Sequence, residues 1–387
     1  MISITTKARD LKKSLSYLSS AVGTRTSAQQ ETSLLYVQVA EDNKLKLQVQ
    51  GNVIVSATTL ECTSAEADDM EFLIDFNTID KYVKNNSIND DFIFNLDKLE
   101  SEEIVTINVG SKFVGTLATV PLDAYEVQLF EDTTPISTIP TSIVNEMISM
   151  SCQFANMKQD TQDYMQIVAQ DNELIFFTSD GEIISKFVAE QDIDEEFDIT
   201  VRASALKKVN NFDSNNISVE LTEDEYFVIF KEDESLRAIL LHSDPPYNYH
   251  ELDSVEEPHA FTLSVPSESI LSALRSLECS SSDNLFNLHV EDDTLLKVYS
   301  EDLSNSKTEI DLDISIDNYT DIISGDTYKA SIILFRKLGT IAKDNGKLNM
   351  SMWTTKDQNG VEFIDMVDAT GDTGDVSYSI SFGLMES

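Results

Sequence analysis

The sequence predicts an α+β fold built from three repeated units, each with two helices packed on antiparallel sheets. Three observations carry that expectation. Amphipathic helical stretches and runs of strand-like alternation follow one another in the order helix, strands, helix, strands, three times over. The pattern restarts near residues 1, 136 and 261, a period of roughly 125 residues that is far too long for a solenoid repeat. A chain of 387 residues, 41% of them hydrophobic, with 19 Phe and 12 Tyr, is long enough for each unit to bury its own core. The junctions FEDTTP (130–135) and DSVEEPH (253–259) are polar and contain Pro, which places the domains at 1–132, 133–256 and 257–387.

In the first unit a short strand from Met1 to Thr6 runs into the helix ARDLKKSLSYLSS. There Ala8, Leu11, Leu15 and Leu18 share one face, and Arg9, Lys12 and Lys13 lie away from it. The segments LLYVQVAED, KLKLQVQ and NVIVSATTLEC alternate as half-buried strands do. The helix FNTIDKYVKNN sets Phe76, Ile79 and Val83 against Lys81 and Lys84, and DFIFNL, EIVTINV and KFVGTLATV complete the unit.

The second unit repeats the programme with ISTIP, the helix TSIVNEMISMSCQFA, strands YMQIVAQ, ELIFFTS, IISKFVAE and DITV, and the helix RASALKKVNNF. In that helix Ala205, Leu206, Val209 and Phe212 oppose Lys207, Asn210 and Asn211; ISVELTE, YFVIFKE and LRAILLHS follow. The third unit runs through AFTLSVP, the helix SESILSALRSLEC, strands FNLHVED, LLKVYSE and TEIDLDI, the helix KASIILFRKLGTIAKDN, and the strands KLNMSMWTT, VEFIDMV and VSYSISFGLM. Phe335, Leu338 and Ala342 form the apolar side of its last helix, with Arg336, Lys337 and Lys343 turned away from the centre of that face. Pro140 and Pro266 open the first helices of units two and three, as suits a first helical turn.

Charge is distributed unevenly. The chain carries 27 Lys+Arg against 69 Asp+Glu, a formal net charge of −42. The six helical stretches 7–19, 76–86, 140–156, 202–212, 266–280 and 329–345 nevertheless hold 14 of the basic residues and only 6 of the acidic ones. They are net positive while the rest of the chain is strongly negative. Any single lysine reads as a solvated charge, because its stem snorkels freely. As a set, the cationic helices read as a polyanion-binding surface on a body that repels nucleic acid elsewhere. No base-reading motif accompanies them, so contact would run through phosphates and ignore sequence.

No catalytic apparatus is visible. His242, His250, His259 and His289 have no metal-binding spacing, and no Gly-rich phosphate loop, GxSxG or CxxC occurs. The sequence therefore predicts a protein that is not an enzyme and needs no cofactor or metal. Cys62, Cys152 and Cys279 are widely separated and odd in number, and read as buried thiols. No apolar run is long enough for a membrane span and no signal peptide is evident, so a soluble cytoplasmic protein is expected. Two other classes fit parts of the pattern. An acidic DNA mimic, or another non-enzymatic interaction protein, would exploit the negative exterior but needs carboxylates along the exposed helices, where they are nearly absent. A metal-dependent nuclease would exploit the abundant carboxylates.

Short phrases along the whole chain resemble the bacterial-type β sliding clamp, the DNA polymerase III beta subunit family. They are VGTRTS (22–27), TLATVPLDAYEV (116–127), KQDTQDYM (158–165), TSDGEII (178–184) and DPPYNYHEL (244–252). The resemblance implies a DNA replication factor: a head-to-tail homodimeric ring of clamp domains whose helices encircle duplex DNA and confer processivity on a replicative polymerase. A clamp loader would open the ring. Arg25 and Gln159 match positions that touch DNA in the family; with Arg9, Lys12, Lys13, Lys81, Lys84, Arg202, Lys207, Lys208, Arg336 and Lys337 they make the expected DNA surface. The family's partner-peptide pocket maps onto Met165, Ser179, Gly181, Ile184, Tyr247, Leu252, Ile333, Phe382 and Met385. Its dimer interface maps onto Leu117, Glu278 and Cys279.

The sequence departs from the family in Glu182-Ile183, in Tyr247 where a Pro is usual, in the SFGLMES ending, and in the polar Glu278-Cys279 pair at the seam. These departures imply an altered cognate peptide and either a more easily opened ring or a polar seam. Their extent suggests a virus-encoded member, acting in the host cytoplasm.

Overall fold

The computed structural model describes residues 2–22, 33–40, 43–65, 71–87, 89–98, 103–122, 127–128, 130, 133–242, 245–252, 261–301, 307–317, 327–356 and 362–386. Seven helices occur among them: α1 (Ala8–Leu18), α2 (Phe76–Lys84), α3 (Thr141–Ser151), α4 (Ala203–Val209), α5 (Tyr249–Leu252), α6 (Ser267–Glu278) and α7 (Ile332–Ile341). None is long and apolar enough to cross a membrane. Every strand pairing is antiparallel, as the short connections between alternating runs predict.

The chain divides into two compact units, Met1–Thr141 with Ala205–Leu241, and Ser142–Ser204 with His242–Ser387. The first unit holds a five-stranded sheet in the order 63–65, 2–7, 91–98, 103–109, 112–118, and an eight-stranded sheet in the order 133–140, 216–222, 227–232, 235–240, 54–61, 44–50, 34–40, 71–75. Within the latter the strands Ser235–Leu240 and Ile54–Glu61 pair directly, Arg237 opposite Ser56, so strands of the first and second repeats form one sheet.

The second unit is built the same way. Its nine-stranded sheet runs 197–201, 165–170, 173–179, 183–190, 376–383, 362–372, 347–356, 261–266, 315–317. Its five-stranded sheet runs 307–313, 295–301, 285–290, 327–331, 385–386. Here the strand Ile183–Glu190 pairs with Val376–Gly383, Phe187 opposite Tyr378, and joins the second and third repeats. The strands of the second repeat are thus shared between two sheets, which is why the compact units do not coincide with the repeats. The expected domain junctions at 132/133 and 256/257 fall at or within stretches outside the described residues.

Local chemistry explains the helix limits. In α1 the buried positions are Ala8, Leu11, Ser14, Leu15 and Leu18, the predicted apolar face with one serine added. Burying one such leucine contributes about 1.5–3 kcal/mol. The Asp75 carboxylate caps α2, accepting from the Thr78 backbone N–H at 2.8 Å. Ser331 caps α7 through the Leu334 N–H at 3.3 Å, so the helix starts three residues later than predicted and Thr327–Ser331 is strand.

The second helix of the second repeat also differs from expectation. It stops at Val209, and Asn211, at φ 76°, takes the left-handed conformation that ends it. Phe212 lies beyond the helix yet is buried, its ring 5.8 Å from that of Phe230. Pro140 and Pro266 are the last residues of strands, one position before their helices, where an extended backbone is needed. Cys62 and Cys152 are buried as expected, but Cys279 is exposed because it sits at the C-terminal cap of α6.

Candidate functional site

The predicted cations fall into two groups. Arg9, Lys12 and Lys13 are exposed on α1, Lys81 and Lys84 on α2, and Lys207 and Lys208 on α4, each opposite the buried face of its helix. Lys84 makes an i,i+4 bridge to Asp80 at 2.6 Å, and Lys13 lies 4.0 Å from the exposed Asp213. Such solvated pairs contribute little and do not fix the cations. Gln159 is exposed in the turn after α3. Arg202, just before α4, reaches Asp160 at 3.2 Å.

The cations of α7 are placed differently. Arg336 is paired with Glu278, and Lys337 donates to the Gln153 carbonyl with its ammonium 5.5 Å from the centroid of the Phe154 ring. Both are half-buried, because positions 336 and 337 lie between the core residues Phe335 and Leu338. Lys337 is thereby tied to its own unit, a contact periodicity alone does not predict, whereas the Arg336–Glu278 pair is largely solvated. Arg25 lies outside the described residues.

The residues expected to bind a partner peptide converge within the second unit. Ser179 pairs with Ile184, and Ile183 with Phe382, across three neighbouring strands. Phe382 makes an edge contact with Phe335 of α7, centroids 5.7 Å apart. Met165, Ser179 and Phe382 are buried. The accessible apolar groups are Tyr247 at 37% exposure, Ile333 at 53%, and the half-buried Ile184.

Gly181 stands at φ 87°, and an added Cβ would meet the Tyr247 hydroxyl at 2.5 Å. A larger residue here would be strained at this φ and would need the Tyr247 ring to shift. The Ser179 N–H donates to the Tyr164 hydroxyl at 3.1 Å, and the Asp180 carboxylate accepts from the N–H groups of Glu182 and Ile183 at 3.0 and 2.8 Å, so the turn is rigid. Nothing is described of the side chains of Leu252 and Met385. The short helix α5, missed because Pro and Asn dominate the stretch before it, seats Tyr249 against Val168, Ile175 and Phe177.

Two edge strands close the five-stranded sheets, Lys112–Ala118 and Lys307–Asp313, seven residues each. Leu117 is half-buried on the first, which also carries Phe113 at 65% exposure. Beside the second lies a groove of about 510 Å³, bounded on one side by Ser269, Ser272, Ala273 and Ser276 of α6 and on the other by Ile310 and Leu312. Glu278 and Cys279 are exposed at the end of α6. Phe113 and the groove were not anticipated. The alternation of Ile310 and Leu312 with Glu309 and Asp311 is a signal for the groove. A register shift between Ile107 and Asn108 alters the facing of the Phe113 strand and hides the other half from sequence.

No protein-family model and no curated protein matches the sequence. Solved structures do. The chain is similar over 100% of its length to a DNA polymerase III beta subunit of Eubacterium rectale, described as putative by those who solved it (13% identity, 99% of that chain, TM-score 0.81). It is equally similar to the DNA polymerase sliding clamp of Bacillus subtilis (13%, 99%, TM-score 0.82) and to the DNA polymerase III beta chain of Streptococcus pneumoniae (11%, 100%, TM-score 0.82). The chain has the fold of these proteins over its full length.

Proposed function

We propose that this protein is a DNA sliding clamp, a processivity factor that encircles duplex DNA without regard to sequence and tethers a replicative polymerase. The observation that carries the reading is the exposed cationic face of α1, α2 and α4 on a chain of net charge −42, in a fold matched end to end by the sliding clamp of Bacillus subtilis. Cations spread along helices hold phosphates by Coulomb attraction alone, which is weak enough at physiological salt to permit sliding. The topology of a closed ring then supplies retention.

Closure in this reading is head to tail between two copies, the edge strand Lys112–Ala118 of one continuing the sheet that ends in Lys307–Asp313 of the other. Pairing would cover both open edges, which otherwise invite aggregation. The three repeats occupy 1–132, 133–256 and 257–387. Polymerase and clamp loader dock by a short peptide over the Ile184, Tyr247 and Ile333 rim, and catalysis belongs to the polymerase. The site of action is the cytoplasm, where the DNA is.

Retention on circular against linearised plasmid after loading tests the reading. A clamp stays on the circle and leaves the free ends; equal retention on both refutes a ring.

A further inference from the structure

A cavity of about 380 Å³ opens beside the C-terminal ends of α1 and α4, entirely within the first compact unit. Its wall carries three cations, Lys13, Lys208 and Arg237, against one carboxylate, Asp213. In a chain with more than twice as many acidic as basic residues, that local excess is notable. Lys13 and Lys208 are exposed at the rim, while Arg237 is 5% exposed. Its guanidinium is held against the rings of Tyr17 and Phe212, 3.8 and 4.9 Å from their centroids.

Helix C-termini ordinarily disfavour anions, because their last carbonyls point outward. Here several of those carbonyls are already taken. The Val209 carbonyl accepts from Arg237 Nη1 at 2.6 Å. Ser16 and Tyr17 accept from the hydroxyls of Ser19 and Ser20 at 2.6 and 3.1 Å. The Asn210 side-chain oxygen accepts from the Asn211 N–H at 2.8 Å, which leaves the amide nitrogen as its remaining group. Arg237 Nε has no partner among the described residues. Donors and cations therefore remain where acceptors would otherwise stand. Two carboxylates oppose them: Glu232, buried beside Arg237 and accepting from the Asp213 and Ser214 N–H groups at 2.7 and 3.0 Å, and Asp213, which is mostly exposed and free to turn to water.

We propose that this cavity binds a phosphate group, with the immobilised Arg237 guanidinium at its base and Lys13 and Lys208 closing over it. A tetrahedral oxyanion offers acceptors in several directions, as this set of donors requires, and a planar guanidinium fixed by ring stacking loses little freedom on binding. The group is the phosphate of a mononucleotide-sized monoester or an internal phosphate of a nucleic-acid strand. The site stands on the geometry of one compact unit and does not depend on ring formation.

Calorimetric titration of the full chain with inorganic phosphate at low salt tests it. One saturable site is expected, weakened at least about tenfold in Lys13→Gln/Lys208→Gln. The charge-matched Lys46→Gln/Lys158→Gln, two exposed lysines elsewhere, changes it by less than about twofold. Arg237→Lys, which keeps the charge and loses the fork, weakens binding too; if it does not fold, the rim double variant carries the test. Competition by thymidine 5′-monophosphate alone assigns a free monoester, and competition by a duplex without terminal phosphates assigns the strand. Absence of saturable binding, or an equal loss in both double variants, overturns the proposal.

Discussion

Arg237 lies over Tyr17, its guanidinium carbon 3.8 Å from the ring centroid, and the contact ties the strand Ser235–Leu240 of the second repeat to α1 of the first. Burial pulls the guanidinium below its ordinary value, and the nearby Tyr17, Glu232 and Asp213 oppose that fall. Arg237→Met loses the ring contact and orphans the Val209 carbonyl, which costs about 2–4 kcal/mol. In urea unfolding, a double-mutant cycle with Tyr17→Leu should show a coupling of about 1–2 kcal/mol. Additive losses would mean that the two residues act separately.

Alkaline stability is set by buried tyrosines. Burial, with Asp372 adding to it, pushes the Tyr378 hydroxyl up to about 12, and burial likewise raises Tyr17, Tyr36 and Tyr164. The folded state thus holds these protons more tightly than the unfolded chain, whose tyrosines titrate near about pH 10. The stability they contribute is full below that pH and is lost as pH rises through the folded values. Tyrosinate absorbance should accordingly lag in the folded protein. The drop in melting temperature above about pH 10 should be smaller in Tyr378→Phe; an identical drop would assign the effect to other groups.

Much of this architecture was legible in the sequence, because it rests on short-range periodicity. The apolar face of α1 is the one the 3.6-residue spacing predicts, and the strands of Phe261–Pro266 and Leu285–Val290 follow the alternation. What escaped was long-range. That strands of the second repeat pair with the first and third depends on Arg237 meeting Ser56 and Phe187 meeting Tyr378, contacts between residues far apart in the chain. The same holds for Lys337, whose helical position looks solvent-facing until the Gln153 carbonyl and Phe154 ring arrive from the turn after α3. Cys279 escaped for the opposite reason. Its exposure reflects a helix end that composition does not locate.

That difference among lysines is testable. Lys81 and Lys207 are exposed, so Lys81→Glu/Lys207→Glu should lower retention on circular DNA about tenfold or more at moderate salt, with the melting temperature nearly unchanged. Lys337→Glu should lower melting temperature by several degrees, since it removes a donor from the Gln153 carbonyl and sets a carboxylate near it. Differential scanning fluorimetry beside the retention assay separates the two. Equal thermal effects would place Lys337 with the surface group after all.

Gly181 and Tyr247 make a steric pair. Gly181→Ala meets two penalties, about 1–2 kcal/mol for a side chain at positive φ and a smaller one for displacing the exposed end of Tyr247. In a Tyr247→Ala background only the first remains, so the second substitution should cost less there than in the native chain. Chemical denaturation of the four proteins measures it. If Gly181→Ala costs the same in both backgrounds, the tyrosine is not held against the turn.

Phe113 carries the last prediction, about the proposed seam between copies. Phe113 is 65% exposed on an edge strand, and the groove of about 510 Å³ at the edge of the other five-stranded sheet, lined by Glu268, three serines and Ala273 as well as Ile310 and Leu312, offers it partial cover. With Glu278 and Cys279 exposed and polar at the nearby helix end, little else at this seam is apolar, so much of the association energy falls on Phe113 and Leu117. Phe113→Ala should weaken self-association by about 2–3 kcal/mol, roughly 30- to 150-fold. Ile310→Glu, across the proposed seam, should do the same by placing a charge in the groove. Sedimentation velocity across a concentration series reads both. Two variants that dimerise as tightly as the native chain would exclude this pair of edges as the seam, while leaving the cationic helices and their DNA assay untouched.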